Sequence, residues 1–212
     1  MWELVKAGGW LMLPLVLCSI FTAAITIERF IRLKKTMILP KVLLLNPAQN
    51  AEAVMQQLQQ NQVLQSTTLG RIFMAGYQSK NHNEQFARAQ MEATASQEIG
   101  YLEKNINFLG TLSAVAPLLG LLGTVLGIIE SFLVIDLGTN SNPTLMIPGI
   151  SKALITTAAG MFIAIPALFA YRYFQRLVQE YIAELEQQST LFHAALFYQN
   201  STDQEQDIRK AG

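Results

Sequence analysis

Two apolar stretches of this sequence carry hydroxyls, glycines, prolines and lone charges where a plain membrane anchor would carry leucine. The first reads Gly110-Thr-Leu-Ser-Ala-Val-Ala-Pro-Leu-Leu-Gly-Leu-Leu-Gly-Thr-Val-Leu-Gly127 and continues to Glu130 and Ser131. In it Ser113, Pro117, Gly120, Thr124, Gly127 and Ser131 recur at intervals of three and four, one narrow helical stripe, and Gly123 with Gly127 forms GxxxG. The second reads Pro148-Gly149-Ile-Ser-Lys152-Ala-Leu-Ile-Thr-Thr-Ala-Ala-Gly160-Met-Phe-Ile-Ala-Ile-Pro166, with a matching stripe of Ala153, Thr157, Gly160 and Ala164. A hydroxyl both donates and accepts, so it can hand on a hydrogen-bonded water chain while staying uncharged, which costs little at membrane depth. The same stripes suit close helix packing, and each threonine can instead bond a carbonyl one turn back in its own helix.

Between the two stretches, Gly138, Thr139, Asn140, Ser141, Asn142 and Pro143 are turn formers, which makes the stretches an antiparallel hairpin. Opposed positions in such a hairpin keep a nearly constant index sum. That pairs Thr124 with Thr157 in depth, and Glu130 with Lys152. Ionisable groups in a span face a partner or water, so Glu130 and Lys152 are expected to pair, within or between subunits. The alternative is that Lys152 snorkels to the interface while Glu130 meets water near the link. Pro166 frees the carbonyl of Phe162 and predicts a kink there.

These stretches overlap two of three uncharged runs, residues 7–27, 105–129 and 153–171, each long enough for the ~20 helical residues that cross a bilayer. Only 14% of the residues are charged, against about 25% in a soluble domain. With a net charge of zero, nothing suggests a nucleic-acid surface. Cys18 is the sole cysteine and lies within the first run, which leaves no disulfide framework or thiol metal site; it reads as a small apolar packer. His82 and His193 are far apart, no nucleotide-binding glycine loop follows a strand, and no nucleophile sits beside a candidate base. Neither an enzyme nor a cofactor is expected.

The first run is too long for a cleaved signal, so it is read as a retained span. Lys6 precedes it, whereas Arg29, Arg32, Lys34 and Lys35 follow it, and Arg172 and Arg176 follow the third span. The positive-inside rule then predicts an outer N-terminus, an inner loop and an inner tail. Trp2 and Trp10 fit an outer aromatic belt, and Glu28 with Arg29 an inner charge belt. In the loop, Asn46-Pro47 predicts a helix start running through about Leu64 and Ser66 predicts another, with a break at Asn81-His82-Asn83. The residues Gln56 to Gln65 read as a solvated face. From Glu84 to Val134 the pattern predicts one continuous helix, and Leu177, Tyr181, Leu185, Ser189 and Phe192 carry the third helix well past Arg172. The expected divisions are 1–35, 36–105, 106–134, 135–147, 148–172 and 173–212: an all-α membrane protein with three spans, the second and third prolonged into the cytoplasm.

The run from Ala116 to Phe132, followed by Pro148 to Gly160 and Ala164-Ile-Pro166, closely resembles the MotA/TolQ/ExbB proton-channel family on its ExbB/TolQ side. The resemblance implies a homopentamer in the bacterial inner membrane whose second and third spans surround a pore. It implies a single-span partner resembling ExbD or TolR, whose intramembrane aspartate carries protons, and a driven periplasm-spanning protein resembling TonB or TolA. By position, Thr124 and Thr157 match the family's two pore threonines. Ser113, Ser131, Glu130 and Lys152 join them as candidate pore-lining residues; Pro117, Gly120, Gly123, Gly127, Pro148, Gly149, Gly160 and Pro166 are candidates for packing and kinking. One departure stands out: many relatives carry a glutamate where this chain has Lys152, so that glutamate's role does not transfer. The alternative function is a non-conducting membrane scaffold that uses the same stripes to assemble partner helices.

Overall fold

The structure, a computed structural model, describes residues 8–45, 51–136 and 143–198. The expected cap at Asn46-Pro47, the link 137–142, Trp2, Lys6 and the tail from Asp203 lie outside the described residues. The helices are α1 (Met12–Arg32), α2 (Lys35–Ile38), α3 (Ala51–Gln60), α4 (Gln62–Gln65), α5 (Thr68–Ser79), α6 (Glu84–Glu103), α7 (Ile106–Asp136) and α8 (Ile147–Phe197). Short 3-10 turns occupy Lys41–Leu43 and Pro143–Met146, and no strand occurs among the described residues.

Three stretches are long and apolar enough to cross a membrane: α1, the second half of Glu84–Leu133, and the first half of α8. Only 22–28% of their most apolar windows is buried within the chain, so lipid or other chains must cover the rest. The chain is therefore an all-α membrane protein with three spans. It divides into two compact units, one built from the residues up to Phe30 with Asn105–Gln175, the other from Ile31–Lys104 and the residues from Arg176 onward. The helix α8 contributes to both.

In the first unit, α1 lays Met12 and Leu15 against Ala116 and Ala164, with Leu119, Ala159 and Ile163 around them. Alanine at these contact positions lets the helices approach closely without lost side-chain entropy. The second unit is closed by larger groups. Phe73 of α5 and Phe192 of α8 are fully buried and stack with ring centroids 4.1 Å apart. Arg71 and Glu98 tie α5 to α6 at 2.9 Å. Lys35 and Glu184 pair at 2.7 Å, and that bond raises the Lys35 pKa above its usual value. Tyr181 donates its hydroxyl to the Leu33 carbonyl, and the Leu45 amide donates to Gln188.

Several local expectations need correction. The helix expected to be continuous from Glu84 is broken between α6 and α7: Lys104 turns to ψ 138° and Asn105 takes φ 64°. Asparagine enters that left-handed region at little cost because its short polar side chain bonds locally. Here the Asn105 amide donates to Glu28 Oε2 at 3.2 Å. The helix expected through Leu64 breaks at Asn61, which caps α4 by accepting from the Val63 amide. The next cap is Thr67 rather than Ser66: Thr67 accepts from the Gly70 amide, whereas the Ser66 hydroxyl donates back to Val63. Arg29 is 2% exposed and lies 3.5 Å from Glu28. The break at residues 81–83 is present, and Asn83 caps α6 by accepting from the Phe86 amide. Helix α8 runs through Pro166, and α7 through Pro117, without interruption.

Candidate functional site

The candidate residues converge on the seam between α7 and α8. Close approach is set by glycine. A methyl group built on Gly160 would lie 2.6 Å from the Ala116 carbonyl and 3.2 Å from Gly120 Cα; one on Gly120 would meet the backbone of Thr156 and Thr157 at 3.0 Å. Nothing larger than hydrogen fits at either position while the helices keep this separation. Gly123, Gly127 and Gly149 lie on the same seam, against Thr156, Ala153 and Ser131.

That separation permits a hydrogen bond from one helix to the backbone of the other. Thr157 Oγ1 donates to the Gly120 carbonyl at 2.8 Å. Thr124 Oγ1 donates instead to Leu121 in its own helix, at 2.7 Å. The two threonines thus anchor on carbonyls from the same turn of α7. Each keeps acceptor lone pairs, and Thr124 is only partly buried, so its oxygen is open to a further donor. Ser113 donates to the Gly110 carbonyl at 2.7 Å. Ser131 is buried, donates to Gly127 at 2.8 Å and has the Met146 carbonyl as a second acceptor at 3.3 Å. Pro148 and Gly149 stand in the first turn of α8, and Gly149 is held against Ser131.

Lys152 and Glu130 meet directly. Lys152 Nζ lies 2.8 Å from Glu130 Oε2 and 3.1 Å from Oε1. The equal depth read from the hairpin register is the reason they can. Around the seam, however, they occupy the other edge from the threonines. Glu130 is six residues from Thr124, about 120° around α7, and Lys152 is five residues from Thr157, about 140° around α8. Glu130 shares its row with Leu126, Gly123 and Leu119; Lys152 shares its row with Thr156, Ala159 and Ile163. Leu119, Ala159 and Ile163 pack against the cluster that Met12 and Leu15 of α1 form with Ala116 and Ala164. The α7–α8 seam therefore has an ion-pair edge, and a hydroxyl edge with Thr124 and Thr157 about a third of a turn from it around each helix.

Thr156 was not among the sequence candidates. It is 1% exposed, donates to the Ala153 carbonyl at 2.8 Å and fills the space over Gly123. Its spacing of four from Lys152 is the signal that separates it from Thr157. Among the described residues no group of three His, Cys, Asp or Glu could hold a metal ion.

Residues 64–187 match the model of the MotA/TolQ/ExbB proton channel family. The ExbB-like protein 1 of Synechocystis is 31% identical over 199 residues, 91% of this chain and 78% of that protein. The Tol-Pal system protein TolQ of Haemophilus influenzae is 36% identical over 111 residues, 50% of this chain and 49% of TolQ. The biopolymer transport protein ExbB of Salmonella typhimurium is 40% identical over 85 residues, 40% of this chain and 35% of ExbB. With three apolar spans, a glycine-set seam and a family match over more than half its length, the chain belongs to the MotA/TolQ/ExbB proton channel family, as a multi-pass inner-membrane subunit of ExbB/TolQ type.

Proposed function

We propose that this chain is the pore-forming stator subunit of a complex that uses proton flow across the inner membrane to energise a periplasm-spanning protein. The N-terminus is periplasmic, and the C-terminal part of α8 is cytoplasmic. Five copies enclose a pore, and the single-span partner within it resembles ExbD or TolR and carries an aspartate. The driven protein resembles TonB or TolA. Similarity to proteins named for biopolymer transport and for the Tol-Pal system supports this reading.

The observation that carries it is the hydroxyl edge of the α7–α8 seam. Thr124 and Thr157 are held at adjoining carbonyls, about a third of a turn around their helices from the ion-pair edge, and they face the centre if copies assemble with that edge outermost. An uncharged hydroxyl pair there can exchange protons through water with a partner carboxylate without a buried charge of its own. A non-conducting scaffold is the second reading, favoured by Thr124 spending its proton on its own helix.

The test is proton uptake into liposomes holding the chain together with its single-span partner, compared with liposomes holding either alone. The stator reading predicts flux only from the complex, and only with the partner aspartate intact. An assembled complex without flux under a proton gradient would leave the scaffold.

A further inference from the structure

We infer that Glu130, Lys152 and Gly9 form a lock that seats α1 on the α7–α8 hairpin, and that this pair stands outside the proton path. The inference rests on the pore reading above for where the path runs, but its own ground is the ion-pair edge. Lys152 reaches Glu130 by crossing Gly9. The backbone there has φ 72°, and a Cβ built on Gly9 would overlap Lys152 Cε. Glycine is thus required at residue 9 twice over, for the left-handed backbone and for passage of the lysine stem.

The surroundings of the pair are closed on the α1 side. Trp10 and Leu11 of the α1 entry, with Gly123, Leu126 and Thr156, wall a cavity of about 10 Å³ beside the two charges. A single water needs roughly that much space, so a chain of waters has no room to pass between the pair and α1. The Lys152 side chain is 27% exposed, while that of Glu130 keeps half its surface open. A lysine held by both carboxylate oxygens and covered by α1 is built to stay in place. Thr124 and Thr157 lie more than a quarter-turn from the pair, about 120° and 140° around their helices.

The pair that was a candidate for the pore mouth instead fixes the depth and rotation of α1 against the two helices that carry the threonines. Lys152 and Glu130 are positioning residues, and the proton path along α7 and α8 is left with hydroxyls and no fixed charge of this pair.

The test uses the full complex in liposomes, with proton flux and detergent melting measured on the same preparations. Glu130→Gln/Lys152→Met removes both charges but keeps the stem over Gly9. Flux per complex should stay within about twofold of the native value while the melting temperature falls, whereas a residue in the path would cost about tenfold or more. A charge swap, Glu130→Lys/Lys152→Glu, restores the pair and should recover the melting temperature. Loss of flux in either variant with the complex intact overturns the inference. Should neither assemble, Gly9→Ala decides: it should melt lower than the native chain and regain part of the loss when combined with Lys152→Ala, and an unchanged melting temperature for Gly9→Ala overturns the lock. Failure of the pore reading shows separately, as undiminished flux in Thr124→Val/Thr157→Val.

Discussion

Replacing Gly160 by alanine probes the seam that holds the threonines. The added methyl would stand 2.6 Å from the Ala116 carbonyl, where an ordinary contact needs about 3.4 Å. Because both Ala116 O and Gly120 Cα are backbone, no side chain can rotate aside, and α7 and α8 must separate locally by roughly 0.8 Å. The same movement would stretch the Thr157–Gly120 bond from 2.8 Å to about 3.6 Å, beyond hydrogen-bond range. Overpacking costs about 1–3 kcal/mol, and an interhelical bond in a membrane about 0.6 kcal/mol. Alanine's better helix propensity returns about 1 kcal/mol, which leaves a net loss of about 0.6–2.6 kcal/mol. Thermal unfolding in nanodiscs measures the loss, and proton uptake measures its effect on Thr157. A Gly160→Ala chain that melts at or above the native temperature and conducts normally would show that the helices do not pack at this separation.

Gly100 gives the converse case: nothing lies within 4 Å of a methyl group built there, so Gly100→Ala should stabilise α6 by about 1 kcal/mol, seen as a higher denaturant midpoint. Phe192→Ala removes half of the stacked pair with Phe73 and should destabilise the second unit by about 3–5 kcal/mol; hydrogen exchange of α5 amides would report it, and unchanged protection would contradict the packing. Asn105→Ala must place an alanine at φ 64° and loses the bond to Glu28, a cost of about 1–2 kcal/mol for the backbone alone. Asn105→Gly should be milder, and equal melting of the two would argue against the left-handed turn.

The seam was legible because its signal is periodic: small residues at spacings of three and four mark a face, and two such faces joined by turn formers fix an antiparallel register. That register also carried the meeting of Glu130 with Lys152. It did not carry the direction in which the pair faces, because depth follows from index sums whereas rotation depends on where α1 packs, through Met12 and Leu15. The stripe of Ala153, Thr157, Gly160 and Ala164 picked out Thr157, whereas the part of Thr156 in filling the space over Gly123 showed only in the packing. The Asn105 break left little trace, since its left-handed backbone is a property of one residue and one partner, Glu28. At Ser66-Thr67 either hydroxyl can cap, and the choice falls to Thr67, buried at 2% exposure and bonded to the Gly70 amide.

Conduction in the proposed complex runs along the hydroxyl edge. Proton uptake by the full complex carrying Thr124→Val/Thr157→Val tests it most directly, because valine keeps the shape of threonine while removing only its hydroxyl. Loss of the interhelical bond should cost no more than about 1 kcal/mol, so the complex should assemble and melt near the native temperature. Such an intact complex should no longer take up protons. Native flux from it would contradict the assignment of the path to Thr124 and Thr157.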